Sequence, residues 1–141
     1  MFAEMTPLRK LFGAGPDCFK AYSYSIPEYA DLLYQYWKPN ILTNAHNEFL
    51  NLLICIGIVG LLAFLAMLGM GVWRFFKAWE KISEGTESIW LSAFVLAGML
   101  SILAYAGHNF FCYQQVCCTP FLFIVMGLAE SAVRINERKH S

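Results

Sequence analysis

The sequence has 141 residues with ten Lys and Arg against ten Asp and Glu, so its formal charge is zero and it offers no basic footprint for nucleic acid. Apolar residues make up 58% and charged residues 14%, against roughly 45–50% and 25% in soluble domains, which argues against a soluble monomer and excludes intrinsic disorder. The charges are also clustered, with none between Phe49 and Trp73 and none between Ser88 and Ala129. These gaps predict an all-α integral membrane helical bundle with about three spans.

Residues 1–49 carry nine charges and the rings of Tyr22, Tyr24, Tyr29, Tyr34, Tyr36 and Trp37. They lack an apolar core followed by a cleavage motif, so a signal peptide is not expected. Gly13-Ala14-Gly15-Pro16-Asp17 predicts a turn, because both glycines permit positive φ and Pro16 fixes the next bend. Ser25, Pro27 and Glu28 form a helix start. Ile26, Tyr29, Ala30, Leu33 and Trp37 then recur at helical spacing until Lys38-Pro39 stops the run. The expectation is a short amphipathic helix lying on the membrane. Its rings either anchor it at headgroup level or form a platform for sugar or lipid.

In the stretch from Leu42 to Leu50, Asn44 is the expected cap of the first span's helix, which puts His46 in the first turn at the membrane surface. There the helix dipole disfavours a charged imidazole, and free backbone N–H groups suit phosphate oxygens. His46 is then either a base beside an anion site or simply a capping, interfacial histidine. Leu50 to Trp73 supplies 24 apolar-rich residues for the first span, with Asn51 the one strongly polar residue. Gly57 and Gly60 fall within roughly 20° and 40° of the His46 face if the helix is continuous, and Gly57-Ile58-Val59-Gly60 predicts close packing against a second membrane helix.

The 42-residue gap from Ser88 to Ala129 is too long for one crossing. It reads as spans at about 89–106 and 111–133, with Pro120 and Glu130 as irregularities, joined by a turn whose His108 and Asn109 either close it with hydrogen bonds or serve as a second polar site for substrate on the outer side. Glu130 is expected to pair with Arg134 one helical turn on. The expected regions are thus 1–49 outside, 50–133 spanning and 134–141 as a cytoplasmic tail. Arg74, Lys77 and Lys81 follow the first span and Arg134, Arg138 and Lys139 the third, so both segments are expected to be cytoplasmic. Arg9, Lys10, Lys20 and Lys38 on the outer segment weaken that bias but lie away from the span. The five cysteines, at 18, 55, 112, 117 and 118, match no zinc spacing and read as small packing residues rather than redox or metal groups.

His46-Asn47, nine intervening residues and Gly57-x-x-Gly60 resemble the motif of the O-antigen ligase and O-antigen polymerase-like membrane protein family. Leu61 stands where that motif often has Gly, Thr or Tyr. Leu11 to Phe19, with Gly13-Ala14-Gly15-Pro16, is similar to the Gly-x-Gly-Pro stretch that precedes the histidine loop in such proteins. The resemblance covers Leu11 to Leu61 and makes the chain look like the C-terminal third of a longer multi-pass protein.

What the resemblance implies is a metal-independent glycosyl transfer, without cofactor, at the outer face of the cytoplasmic membrane. The donor would be an undecaprenyl-diphosphate-linked glycan and the acceptor a sugar. His46 would deprotonate or position the acceptor hydroxyl, with Asn47, Arg9 and Lys38 as substrate-binding candidates. A lysine lacks the bidentate fork with which the family's arginines meet diphosphate. A donor of that kind needs a groove between several helices, so the missing N-terminal helices or a partner membrane chain are expected to complete the site. A polysaccharide polymerase of the same type, or a non-catalytic membrane subunit or remnant, are the competing expectations. No span carries the interior charges of an ion route.

Overall fold

The computed structural model describes residues 1–85, 89–112 and 118–139. All regular structure among them is helical. A 3-10 turn, Phe2–Glu4, precedes α1 (Pro7–Phe12), α2 (Phe19–Tyr24), α3 (Pro27–Trp37), α4 (Glu48–Cys55), α5 (Gly57–Glu84), α6 (Ile89–Phe111) and α7 (Cys118–Lys139). α5, α6 and α7, of 28, 23 and 22 residues, are long and apolar enough to cross a membrane. The chain is an all-α membrane protein. It divides into two compact units, one of Met1–Leu65 with 109–112, the other of Ala66–His108 with 118–139.

The first unit is built from the short helices. Thr6 caps α1 by accepting from Arg9 N, and Pro7 enters at the first turn, where its missing N–H costs nothing. Pro27 does the same for α3, which ends at Lys38 as the proline after it requires. The Ser25 hydroxyl does not cap α3. It donates to Tyr22 O at 2.7 Å and closes α2 instead.

The apolar stripe of α3 also has a different partner from the one expected. Ile26, Tyr29, Ala30 and Leu33 are half-buried within the unit, while Leu32, Tyr36 and Trp37 are exposed. α3 packs on α2, with the Tyr24 and Tyr34 rings 5.2 Å apart. The protein itself thus covers part of the face that the spacing assigned to lipid. α1 and α2 both contact α4, around a core of Met5, Phe19, Ile54 and Cys55. Burying each large apolar side chain of this kind contributes about 1.5–3 kcal/mol.

The first span departs most from expectation. Rather than one helix over 50–73, α4 ends at Ile56 (φ −121°, ψ 5°), and α5 begins at Gly57 with φ +72°. The sequence between Leu50 and Trp73 contains no proline. The cause is the turn after α1: Ala14 N donates to Ile54 O at 2.8 Å and Gly15 N to Cys55 O at 2.9 Å. Carbonyls that a continuous helix would need are thereby taken, so the rod is interrupted there.

In the second unit, burial recurs at steps of three, four and seven: Leu68, Phe75, Ala78 and Ile82 on α5, and Val95, Gly98, Ile102 and Tyr105 on α6. Leu122, Ala129 and Val133 are the buried positions of α7. Gly98 admits Ala129, whose Cβ lies 2.9 Å from where a Gly98 Cβ would stand, and Gly71 admits the Ile102 methyl at 3.0 Å. Small residues let these helices approach closely. Most large apolar side chains on the spans, among them Leu62, Met70, Trp73, Leu100, Phe121 and Ile124, remain exposed, as lipid contact requires.

The later helices are longer than expected. α6 continues through Gly107, His108 and Asn109 to Phe111, so these residues form a helical turn and not a connecting loop. One helical glycine costs about 1 kcal/mol, less than exposing unpaired backbone groups to hydrocarbon. Pro120 lies in the first turn of α7, where its missing N–H leaves no bond unmade, and 134–139, expected as tail, continue that helix. Gln114, Gln115, Cys117 and His140 lie outside the described residues.

Candidate functional site

Two ends of α4 organise the site. At its C-terminal end the Leu11–Gly15 turn and Gly57 are in backbone contact. A Cβ on Gly13 would meet the carbonyl of Cys55, and one on Gly57 would meet Leu11 O and, at 2.5 Å, Gly13 N. Gly13 itself has φ +81°. Gly57 therefore packs against the upstream turn and not against a second membrane helix. Gly60 makes room for its own neighbour, since a Cβ there would lie 2.5 Å from the Ile56 Cδ1 atom.

At the N-terminal end Asn47, not Asn44, is the cap of α4. Its Oδ1 accepts from Leu50 N at 3.0 Å, and its Nδ2 donates to Phe110 O at 2.6 Å. Glu48 N donates to Cys112 O at 3.1 Å. The Glu48 N–H at the start of α4 and the carbonyls of Phe110 and Cys112 at the end of α6 are thus satisfied across this contact, with the dipoles of the two helix ends in a favourable sense.

His46 precedes that cap and lies outside the helix. Its backbone is left-handed, φ +50°, a conformation in which His is enriched among non-glycine residues. Asn44 Oδ1 accepts from His46 N at 3.1 Å, the bond of an Asx turn, which helps hold this geometry. The imidazole is exposed and stacks on Trp37, with centroids 5.7 Å apart and planes 11° from parallel. Because the helix begins after His46 and breaks before Gly57, the expected single stripe of histidine and glycines does not form. The sequence linkage survives in another form: α4 is a rigid eight-residue strut, with His46 ahead of one end and the Gly13–Gly57 contact at the other.

The cationic candidates lie on different elements. Lys38 follows the stacked Trp37, and its Nζ lies 5.4 Å from the Tyr34 ring centroid. Arg9, on α1, stands 5.7 Å above the Tyr22 ring. It borders a cavity of about 200 Å³ with Ala14, Cys18, Ala21, Tyr22 and Ser25. Chemically, the region combines an exposed imidazole with a stacked indole, and Lys38 follows that indole in the chain. Such a set can accept a proton and offer an apolar face to a ring-shaped ligand.

Cys55 is closed off beneath this region. It packs with Met5, Phe19 and Ile54.

Sequence reasoning missed two sets of residues. Glu48, at 3% exposure, is a buried polar group of the first unit that was not anticipated, while Asn109, expected to bond across a turn, is instead in α6 at 0% exposure with its amide unpaired among the described residues. The mixture of Asn and Glu near an apolar run was the available signal. In the second unit Arg74 bridges both Glu130, at 3.1 Å, and Glu137, at 2.9 Å, in addition to the expected Arg134–Glu130 pair at 2.7 Å. These partners lie too far apart in sequence for helical spacing to reveal them.

No family model, curated protein or solved structure matches this chain.

Proposed function

We propose that this chain carries the acceptor-activating end of an O-antigen ligase-like glycosyltransferase, working with further membrane helices at the outer face of the cytoplasmic membrane. The observation that carries this reading is that the two stretches on which the resemblance rests are in contact. Gly13 abuts Cys55, Gly57 abuts Leu11, and the histidine ahead of the shared strut is exposed. Forty-odd residues separate these stretches in the chain, and a chance likeness gives no reason for them to meet.

In the proposed reaction the acceptor sugar's hydroxyl oxygen attacks the anomeric carbon of the donor glycan. The bond from that carbon to the undecaprenyl diphosphate breaks, and the diphosphate leaves with the electron pair. The hydroxyl proton passes to the His46 imidazole. Lys38 and Arg9 supply positive charge for the diphosphate. Asn47 holds the helix end behind His46 through its two hydrogen bonds. The basic ends of the spans, Arg74, Lys77, Lys81, Arg134, Arg138 and Lys139, then face the cytoplasm.

A polysaccharide polymerase differs only in the acceptor. The second reading, a non-catalytic membrane subunit, is favoured by the uncovered apolar faces of α5, α6 and α7. Proteoliposomes containing the assembled protein, an undecaprenyl-diphosphate-linked glycan and candidate acceptors separate the readings. Loss of donor with glycan on a different anchor supports a ligase, and longer lipid-linked chains support a polymerase. An intact donor in an assembly of demonstrated integrity leaves the subunit.

A further inference from the structure

Asn109 ends the buried positions of α6, and its side chain is unlike the others there. It has 0% exposure, and among the described residues neither its Nδ2 nor its Oδ1 has a hydrogen-bond partner. Exchanging the amide's oxygen and nitrogen does not change this, because both are unpaired. A buried polar group left bare loses its hydration without compensation, and a low-dielectric membrane setting does not lower that cost.

The surroundings narrow what can complete it. The last turn of α6 docks on the first turn of α4 through Asn47 Nδ2 to Phe110 O and Glu48 N to Cys112 O. Those bonds leave the Asn109 amide out. On α4, Asn51 follows Glu48 by three residues and Asn47 by four, so it shares their side of the helix. Its Oδ1 is likewise buried without a partner. The docked turns therefore hold unused acceptors on two carboxamides and an unused NH2 donor on one.

A metal cation could take the oxygens but would repel the NH2 group, and an anion could accept from the NH2 but not serve the oxygens. A hydroxyl does both, accepting from Nδ2 while donating to a carbonyl oxygen. We propose that Asn109, with Asn51, forms an internal site for a neutral hydroxyl group, supplied by a bound water or by a sugar. The site is independent of His46 and stands whether or not the chain takes part in glycosyl transfer. Asn109 orients the hydroxyl by its two ends, and the α4–α6 contact keeps the amide in place.

The test uses the full chain in lipid nanodiscs with ¹⁵N-labelled asparagine. Asn109→Leu assigns the Asn109 side-chain NH2 signal, and Asn109→Asp serves if the leucine variant does not fold. Water and D-glucose are the probes, with exposed Asn40 as the control. A magnetisation-transfer peak from the Asn109 NH2 to water that D-glucose leaves unchanged identifies water as the occupant. A saturable shift with D-glucose, absent at Asn40, identifies a sugar hydroxyl. If the Asn109 NH2 contacts neither probe, the proposal is wrong.

Discussion

Gly13 and Gly57 lie backbone to backbone, so that a Cβ on Gly13 would enter the Cys55 carbonyl and one on Gly57 would enter Leu11 O and approach Gly13 N to 2.5 Å. Both have positive φ, +81° and +72°. An alanine at either position thus meets strained backbone, of order 1–3 kcal/mol, together with a clash that only a backbone shift relieves. Gly13→Ala and Gly57→Ala should each lower the thermal unfolding midpoint in detergent. The double variant should fall by less than the sum, since both lose one contact. Gly69→Ala is the control, because nothing lies within 4 Å of the added methyl. It should be neutral or stabilising by up to about 1 kcal/mol.

Asn47 serves two helices at once, capping α4 with Oδ1 and meeting Phe110 O with Nδ2. Asn47→Ala removes both bonds and should cost about 1–2 kcal/mol of stability. Asn47→Asp keeps an acceptor for Leu50 N and loses only the donor, so chemical unfolding should place it between the wild type and the alanine variant. Equal losses for the two substitutions would show that the cap bond from Leu50 N contributes nothing.

These contacts explain what could and could not be seen in the sequence. α3 was legible because Pro27, Glu28 and Pro39 mark both its ends locally. The three long helices were legible as charge-free runs. The break at Ile56 was not, because its cause is two N–H groups about forty residues upstream, at Ala14 and Gly15, that take the Ile54 and Cys55 carbonyls. His46 was expected in the first turn of the helix and instead lies ahead of it, because the choice between Asn44 and Asn47 as cap depends on Phe110, which pairing rules within one helix cannot supply. Arg74 with Glu137 is a case of the same kind.

Arg74 holds two carboxylates of α7 with one guanidinium, at 3.1 Å and 2.9 Å, and all three side chains are partly exposed. Exposed pairs contribute about 0.2–1 kcal/mol each. Arg74→Ala should accordingly lower stability by about 1 kcal/mol, and Arg74→Lys should recover only part of it because a lysine cannot fork. The difference between wild type and Arg74→Ala should shrink as salt is raised. A loss that is unchanged in high salt would point to packing by the arginine stem instead.

Cys55 lies in the core of the first unit, while Cys18 is only half-buried. Burial leaves Cys55 poorly reached by reagents. Maleimide should label Cys18 well before Cys55 in the folded protein, at rates resolved by peptide mass spectrometry. Denaturation should bring the two rates together.

The proposed role of His46 is tested most directly by glycan transfer from an undecaprenyl-diphosphate-linked donor in the membrane assembly containing this chain. The wild type is compared with His46→Ala and with His46→Gln, which keeps a polar side chain but cannot take a proton. If the imidazole accepts the acceptor's proton, both variants should lose about 10²–10⁴-fold in kcat at unchanged protein level and assembly. Full transfer by His46→Ala in an intact assembly would contradict the account.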